Sequence, residues 1–145
     1  MAWDDEHGPK VDPLRMFERG EVLTGVVDAR TLEVASESFA EGDAPVDVTW
    51  RIAGVRGDDG RPALTLALQG SLPFTCQRCL EEFSWPLQQE TRVLLARDDA
   101  ELATLDETTD DEVILASTPV GAYTLVEDEL VLSMPFAPVH AEACR

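Results

Sequence analysis

Three cysteines and two histidines are the only thiol and imidazole groups in this 145-residue chain, and four of the five fall into two short clusters. Cys76-Gln77-Arg78-Cys79 has Cys-x-x-Cys spacing, and Cys144 follows His140 by one helical turn's worth of residues near the C-terminus. A tight turn lets two thiolates approach one ion while a remote segment supplies a third thiolate and an imidazole, which is a donor set suited to tetrahedral zinc. Cys76, Cys79, His140 and Cys144 are therefore the candidate metal ligands, with a structural zinc as the candidate cofactor. Such a site would close a loop of about sixty residues, and closure helps a small domain by removing entropy from its unfolded chain. The plainer alternative is a reduced turn with an unrelated buried thiol near the C-terminus, and the spacing by itself does not choose between them.

Other chemistry finds less support. A thiol-disulfide oxidoreductase using Cys76 and Cys79 would need the motif to open a helix after a buried parallel strand, whereas its flanks alternate like antiparallel hairpins. Glu127-Asp128-Glu129 fans around a helix axis, so only residues 127 and 129 could approach a common site, and a solvated acidic face is the simpler reading. Asp58-Asp59-Gly60 is a turn without the further spaced oxygen ligands that calcium requires. No Gly-x-Ser-x-Gly elbow and no Gly-rich phosphate loop is present, and His7 stands alone in a polar N-terminal stretch. No catalytic residue emerges.

Charge narrows the partners. Twenty-nine carboxylates against eleven Lys and Arg give a net charge of -18, and Lys10 is the single lysine. Such a surface repels phosphate, so direct binding of free RNA, including as an RNA-binding zinc module, fits the composition poorly. A basic protein partner fits well, because opposite charge accelerates encounter. No apolar run reaches the ~20 residues of a membrane helix, and the acidic start Met1-Ala-Trp-Asp-Asp-Glu lacks the pattern of a signal peptide, so the expected location is cytoplasmic.

The elements that must position these groups are legible from periodicity. Residues 1–11 read as a flexible acidic arm and residues 12–145 as a single domain. Asp12-Pro13 is an N-cap with proline at N1, opening a short helix that turns Leu14 and Phe17 inward. Glu21 to Val27 predicts a strand and Asp28 to Phe39 a helix. Strict alternation over 46–52 and 64–68, separated by the turn-rich Gly57 to Pro62, predicts a hairpin. Alternation through Leu72 and Phe74, resuming at Phe83, Trp85 and Leu87, predicts a second hairpin interrupted by the Cys-x-x-Cys turn, with Pro86 at an edge or a bulge. Asp98 to Asp111 reads as a solvated loop with a helical turn near Leu102 and Leu105, and residues 113–115 as a strand. Gly121 to Met134 predicts a helix with Tyr123, Val126, Leu130 and Met134 on one stripe, stopped by Pro135. The fold class is α+β: an antiparallel, hairpin-rich sheet with a short N-terminal helical region and a C-terminal helix.

Phe74-Thr-Cys76-Gln-Arg-Cys79-Leu-Glu-Glu-Phe83 together with Val126-Glu-Asp-Glu-Leu130-Val-Leu-Ser-Met-Pro135-Phe-Ala-Pro138-Val-His140 resembles the bacterial YceD family, the large ribosomal RNA subunit accumulation proteins. Asp12-Pro13 with Arg15 is similar to the family's usual opening, so the likeness covers most of the chain and makes residues 12–145 one YceD-like domain. The resemblance implies a cytosolic, non-catalytic role in ribosome biogenesis, in the synthesis, processing or accumulation of 23S rRNA. It implies a basic large-subunit ribosomal protein or a 23S rRNA precursor complex as partner. Relatives with several C-terminal cysteines favour the zinc reading.

Overall fold

The computed structural model describes residues 3–4, 8–57, 60–108, 112–135 and 138. His7, Asp58, Asp59, Asp111, His140 and Cys144, all named above, lie outside the described residues.

Among the described residues, eight strands and four α-helices follow in the order β1 (Trp3–Asp4), β2 (Gly8–Val11), α1 (Pro13–Arg19), β3 (Val22–Asp28), a 3-10 turn at Ala29–Thr31, α2 (Glu33–Ser36), β4 (Asp47–Arg56), β5 (Pro62–Thr75), β6 (Glu82–Ala96), α3 (Asp99–Thr108), β7 (Glu112–Leu115), β8 (Val120–Gly121) and α4 (Ala122–Ser133). Five strands form the main sheet in the order β3-β4-β5-β6-β7, and β1-β2-β8 form a small second sheet. The α+β class and the hairpin-rich sheet expected from the sequence are both present.

Both hairpins stand where alternation placed them. Val48, Trp50 and Ile52 point into the core while Asp47, Thr49 and Arg51 face out, the period of a half-buried strand. On β5 the inward set is Leu64, Leu66, Leu68, Leu72 and Phe74, with Leu87, Val93 and Leu95 continuing the same core on β6. Pro86, opposite Ser71, lies in the stretch of β6 whose only paired neighbour is β5, so its missing N–H costs the sheet no bond.

The closing elements bring one correction after another. β7 pairs parallel to β6, with Val93 opposite Glu112, because the chain returns through α3 and does not reverse in a turn. Residues 98–111, expected as a loop with one helical turn near Leu102 and Leu105, contain that full ten-residue helix, started by Asp98 Oδ1 accepting from Glu101 N at 2.8 Å and burying Leu105. Asp28 to Phe39 is not one helix. The Asp28 carboxylate accepts from Arg30 N at 3.0 Å and from Val46 N at 2.9 Å, so it caps a single 3-10 turn and ties it to the next strand, leaving only Glu33–Ser36 helical.

Gly8–Val11, read from sequence as part of the flexible arm, is a strand that pairs with β8 and packs on α4. Val11 is buried, and Gly8 takes φ +72° with the Tyr123 ring so close that a Cβ would lie 2.6 Å from it. Helix α1 follows as expected, capped by Asp12 Oδ1 on Arg15 N and ended by Gly20 in the left-handed region. It buries Pro13 and Met16, with Leu14 and Phe17 half-buried. Its backbone lies directly over Gly54 of β4, where a Cβ would meet the Met16 carbonyl oxygen at 2.4 Å. Helix α4 packs Val126 and Leu130 against β5 and sets Tyr123 edge-on to Trp50, with ring centroids 6.3 Å apart.

Candidate functional site

The Cys-x-x-Cys turn caps the far end of the second hairpin. Cross-strand pairing of Phe74 with Phe83 and of Leu72 with Trp85 brings the two strands together immediately before it. Phe74 gathers Phe39, Phe83 and Trp85 around itself with centroids 6.2, 6.3 and 5.8 Å away, so the turn stands on an aromatic base. Trp85, half-buried, is part of that packing.

Within the turn, Cys76 N donates to Glu81 O and Leu80 N donates to Cys76 O, both at 2.9 Å. These bonds fold residues 76–81 back on themselves, and Leu80 completes the reversal with φ +63°, a left-handed conformation that a γ-branched residue adopts at some cost. Its side chain is 74% exposed. Cys76 is fully buried and Cys79 half-buried. No helix starts at either thiol. The flanking strands are antiparallel, which differs from the strand-to-helix setting of redox Cys-x-x-Cys motifs.

One further bond ties Pro138 to this turn: Gln77 N donates to Pro138 O at 2.9 Å. Residue 138 therefore rests against the knuckle two positions before His140. Cys76 and Cys79 are brought together; His140 and Cys144 are outside the described residues, and among the described residues no three His, Cys, Asp or Glu form a group able to hold a metal. The donor chemistry present, two thiols in a tight turn, fits zinc once further ligands are supplied.

The acidic run of α4 departs from a solvated face. Glu129 is only 4% exposed and accepts a short hydrogen bond from Thr91 Oγ1 on β6. The Ser133 hydroxyl donates to the Glu129 carbonyl at 2.7 Å. Glu127 Oε2 accepts from Val34 N at 3.0 Å and Ala35 N at 3.2 Å, so it caps α2 from across the molecule where Leu32 offers no side-chain cap. Residues 127 and 129 thus serve different partners and do not share a site. Burial, then the charges of Glu129 and Asp128, push the Glu112 carboxyl up, and burial followed by Glu127 does the same to Asp128. Sequence reasoning missed this inward cluster because no local pattern announces a contact between residues 112 and 129.

An acidic α+β scaffold carrying a thiol knuckle at the tip of a long hairpin is the class that fold and site define. Residues 64–145, from the core of β5 to the C-terminus, match the family model described as "Large ribosomal RNA subunit accumulation protein YceD", and the chain belongs to that family. The match includes the knuckle, α3, β7 and α4; the Asp12-Pro13 opening lies outside the matched residues. No solved structure matches the chain. The family description points to a role in accumulation of the large-subunit ribosomal RNA. No helix among the described residues is long and apolar enough to cross a membrane.

Proposed function

We propose that this protein is a non-catalytic assembly factor that supports synthesis, processing or accumulation of 23S rRNA by holding a basic large-subunit ribosomal protein. The observation that carries the reading is the family membership of a chain whose net charge is -18. A surface of that sign repels the rRNA backbone and attracts the cationic proteins that coat it, so the contact to RNA runs through a protein or a precursor complex. The place of action is the cytoplasm, where those precursors assemble.

The knuckle is proposed as a structural zinc site of Cys76, Cys79, His140 and Cys144. The Gln77–Pro138 bond supports it, because that bond holds Pro138, two positions before His140 in sequence, against the turn that carries both thiols. Zinc there would fasten the C-terminal segment to the hairpin tip and supply folding energy without chemistry.

Deleting the gene and following 23S rRNA and subunit profiles during ordinary and cold growth tests the assembly role. Reduced 23S rRNA and a deficit of large subunits, restored by the wild-type gene, are expected. Normal profiles in both conditions would remove the proposal.

A further inference from the structure

A cleft of ≈ 300 Å³ opens where α2, β7 and α4 meet, lined by Val34, Glu112, Glu127, Asp128, Val131 and Leu132. Two properties coincide there. Val34 is 55% exposed and Leu132 71% exposed, so aliphatic surface faces solvent at the cleft although the core has ample apolar material elsewhere. Every polar lining residue is a carboxylate, and no Lys or Arg among the described residues lines the cleft. Glu112 and Asp128 both sit above the ordinary carboxylate range, first through partial desolvation and then through acidic neighbours, although Asp128 keeps much of its surface in solvent. Glu127 is committed to the backbone of α2, and that contact holds Val34 at its distance from α4, so the cleft is formed in advance of any ligand.

We infer that this cleft receives a segment of a basic protein in which an aliphatic side chain is flanked by arginine or lysine. The aliphatic group fits between Val34, Val131 and Leu132, and the flanking cations reach Glu112 and Asp128. Other occupants fit worse. A second copy of this chain brings a charge of -18 of its own, and phosphate of RNA or lipid meets carboxylates of the same sign. A hydrated metal ion gains nothing from three aliphatic walls. The inference rests on the assembly reading above and names the surface through which it works.

The test uses the full chain and a short synthetic peptide of arginine and lysine around a central leucine pair, followed by fluorescence anisotropy at low salt. Asp128→Asn combined with Leu132→Ser is expected to weaken binding about tenfold, and replacing the peptide's leucines by serine to weaken it similarly. Glu18→Gln combined with Glu90→Gln removes two charges from other clefts and is expected to leave affinity within about twofold. Both side chains of the first variant are exposed, and Asp128→Asn alone, being isosteric, gives the same decision should the double variant fold poorly. Equal weakening by the two double variants, although the control removes two charges and the cleft variant one, or no binding, overturns the inference. So does displacement of the peptide by an RNA oligonucleotide that itself depends on Leu132. In a strain lacking the gene, the wild type is expected to restore 23S rRNA and the cleft variant to fail. A wild type without effect there overturns the assembly reading, while the peptide measurement still decides the cleft.

Discussion

Gly54→Ala is the sharpest test of how the sheet is closed by α1. A Cβ at this position would lie 2.4 Å from the Met16 carbonyl oxygen, 2.6 Å from its carbon and 2.7 Å from Phe17 Cα. All three are backbone atoms, so no rotamer change relieves the clash. Because ordinary contact between such atoms needs about 3.5 Å, the helix must move outward by roughly 1 Å. That shift loosens buried Met16 and strains the bonds from Glu21 N to Met16 O, 3.0 Å, and from Gly54 N to Glu21 O, 3.2 Å. Overpacking of this kind costs about 1–3 kcal/mol, and the immobility of the obstacle puts the expectation at the upper end. For a domain of this size that corresponds to a Tm lowered by roughly 5–10 °C. Thermal and urea unfolding followed by far-UV circular dichroism, on the wild type and the variant, measure it. A Tm within about a degree of wild type would refute the close approach of α1 to β4.

Thr91→Val removes the nearer of two hydroxyl donors to the buried Glu129 carboxyl, leaving Ser133 Oγ at 3.5 Å, and is expected to destabilise the fold by about 1–3 kcal/mol, read as a lower urea midpoint; an unchanged midpoint would show that Glu129 does not depend on Thr91. Glu112 has a folded-state pKa above its ordinary value of 4.5, so its charge costs stability at neutral pH and the cost is relieved as pH falls through the raised value. Glu112→Gln should therefore be more stable than wild type at pH 7, with the difference vanishing on acidification; a gap that widens in acid would contradict this sign. If zinc occupies the knuckle, elemental analysis finds one zinc per chain, a chelator lowers the wild-type Tm, and Cys79→Ser has both a lower Tm and no response to the chelator. Equal chelator responses in the two proteins would remove zinc from these ligands.

How much could be read in advance follows the range of the forces involved. Alternation over 46–52 and 64–68 reported each strand's two faces directly, and the same period on either side of Cys76 and Cys79 placed the knuckle at a hairpin tip. Helix α4 carried its stripe and its stop, Pro135, in sequence. Of α3 only a helical turn near Leu102 and Leu105 was legible; Asp98 with Glu101 three residues later is an N-terminal helix signature, but the sparse apolar face of Leu102 and Leu105 hid the full ten residues. Gly8–Val11 carried no such signal, since four residues with Gly and Pro become a strand only because β8 and Tyr123 are waiting. The parallel pairing of β7 and the inward turn of Glu127 and Glu129 are likewise tertiary events. Glu127 bonds to residues about ninety positions away, which no periodicity encodes.

The central claim, a catalytically silent acidic scaffold that serves the large subunit by holding a cationic protein, is met most directly by low-salt affinity isolation of the tagged chain with identification of protein and RNA. The account predicts a basic large-subunit ribosomal protein that elutes as salt rises, that is lost with Asp128→Asn and Leu132→Ser, and whose removal also releases any rRNA. Recovery of rRNA that persists after the proteins are stripped away, unchanged by those substitutions, would contradict it.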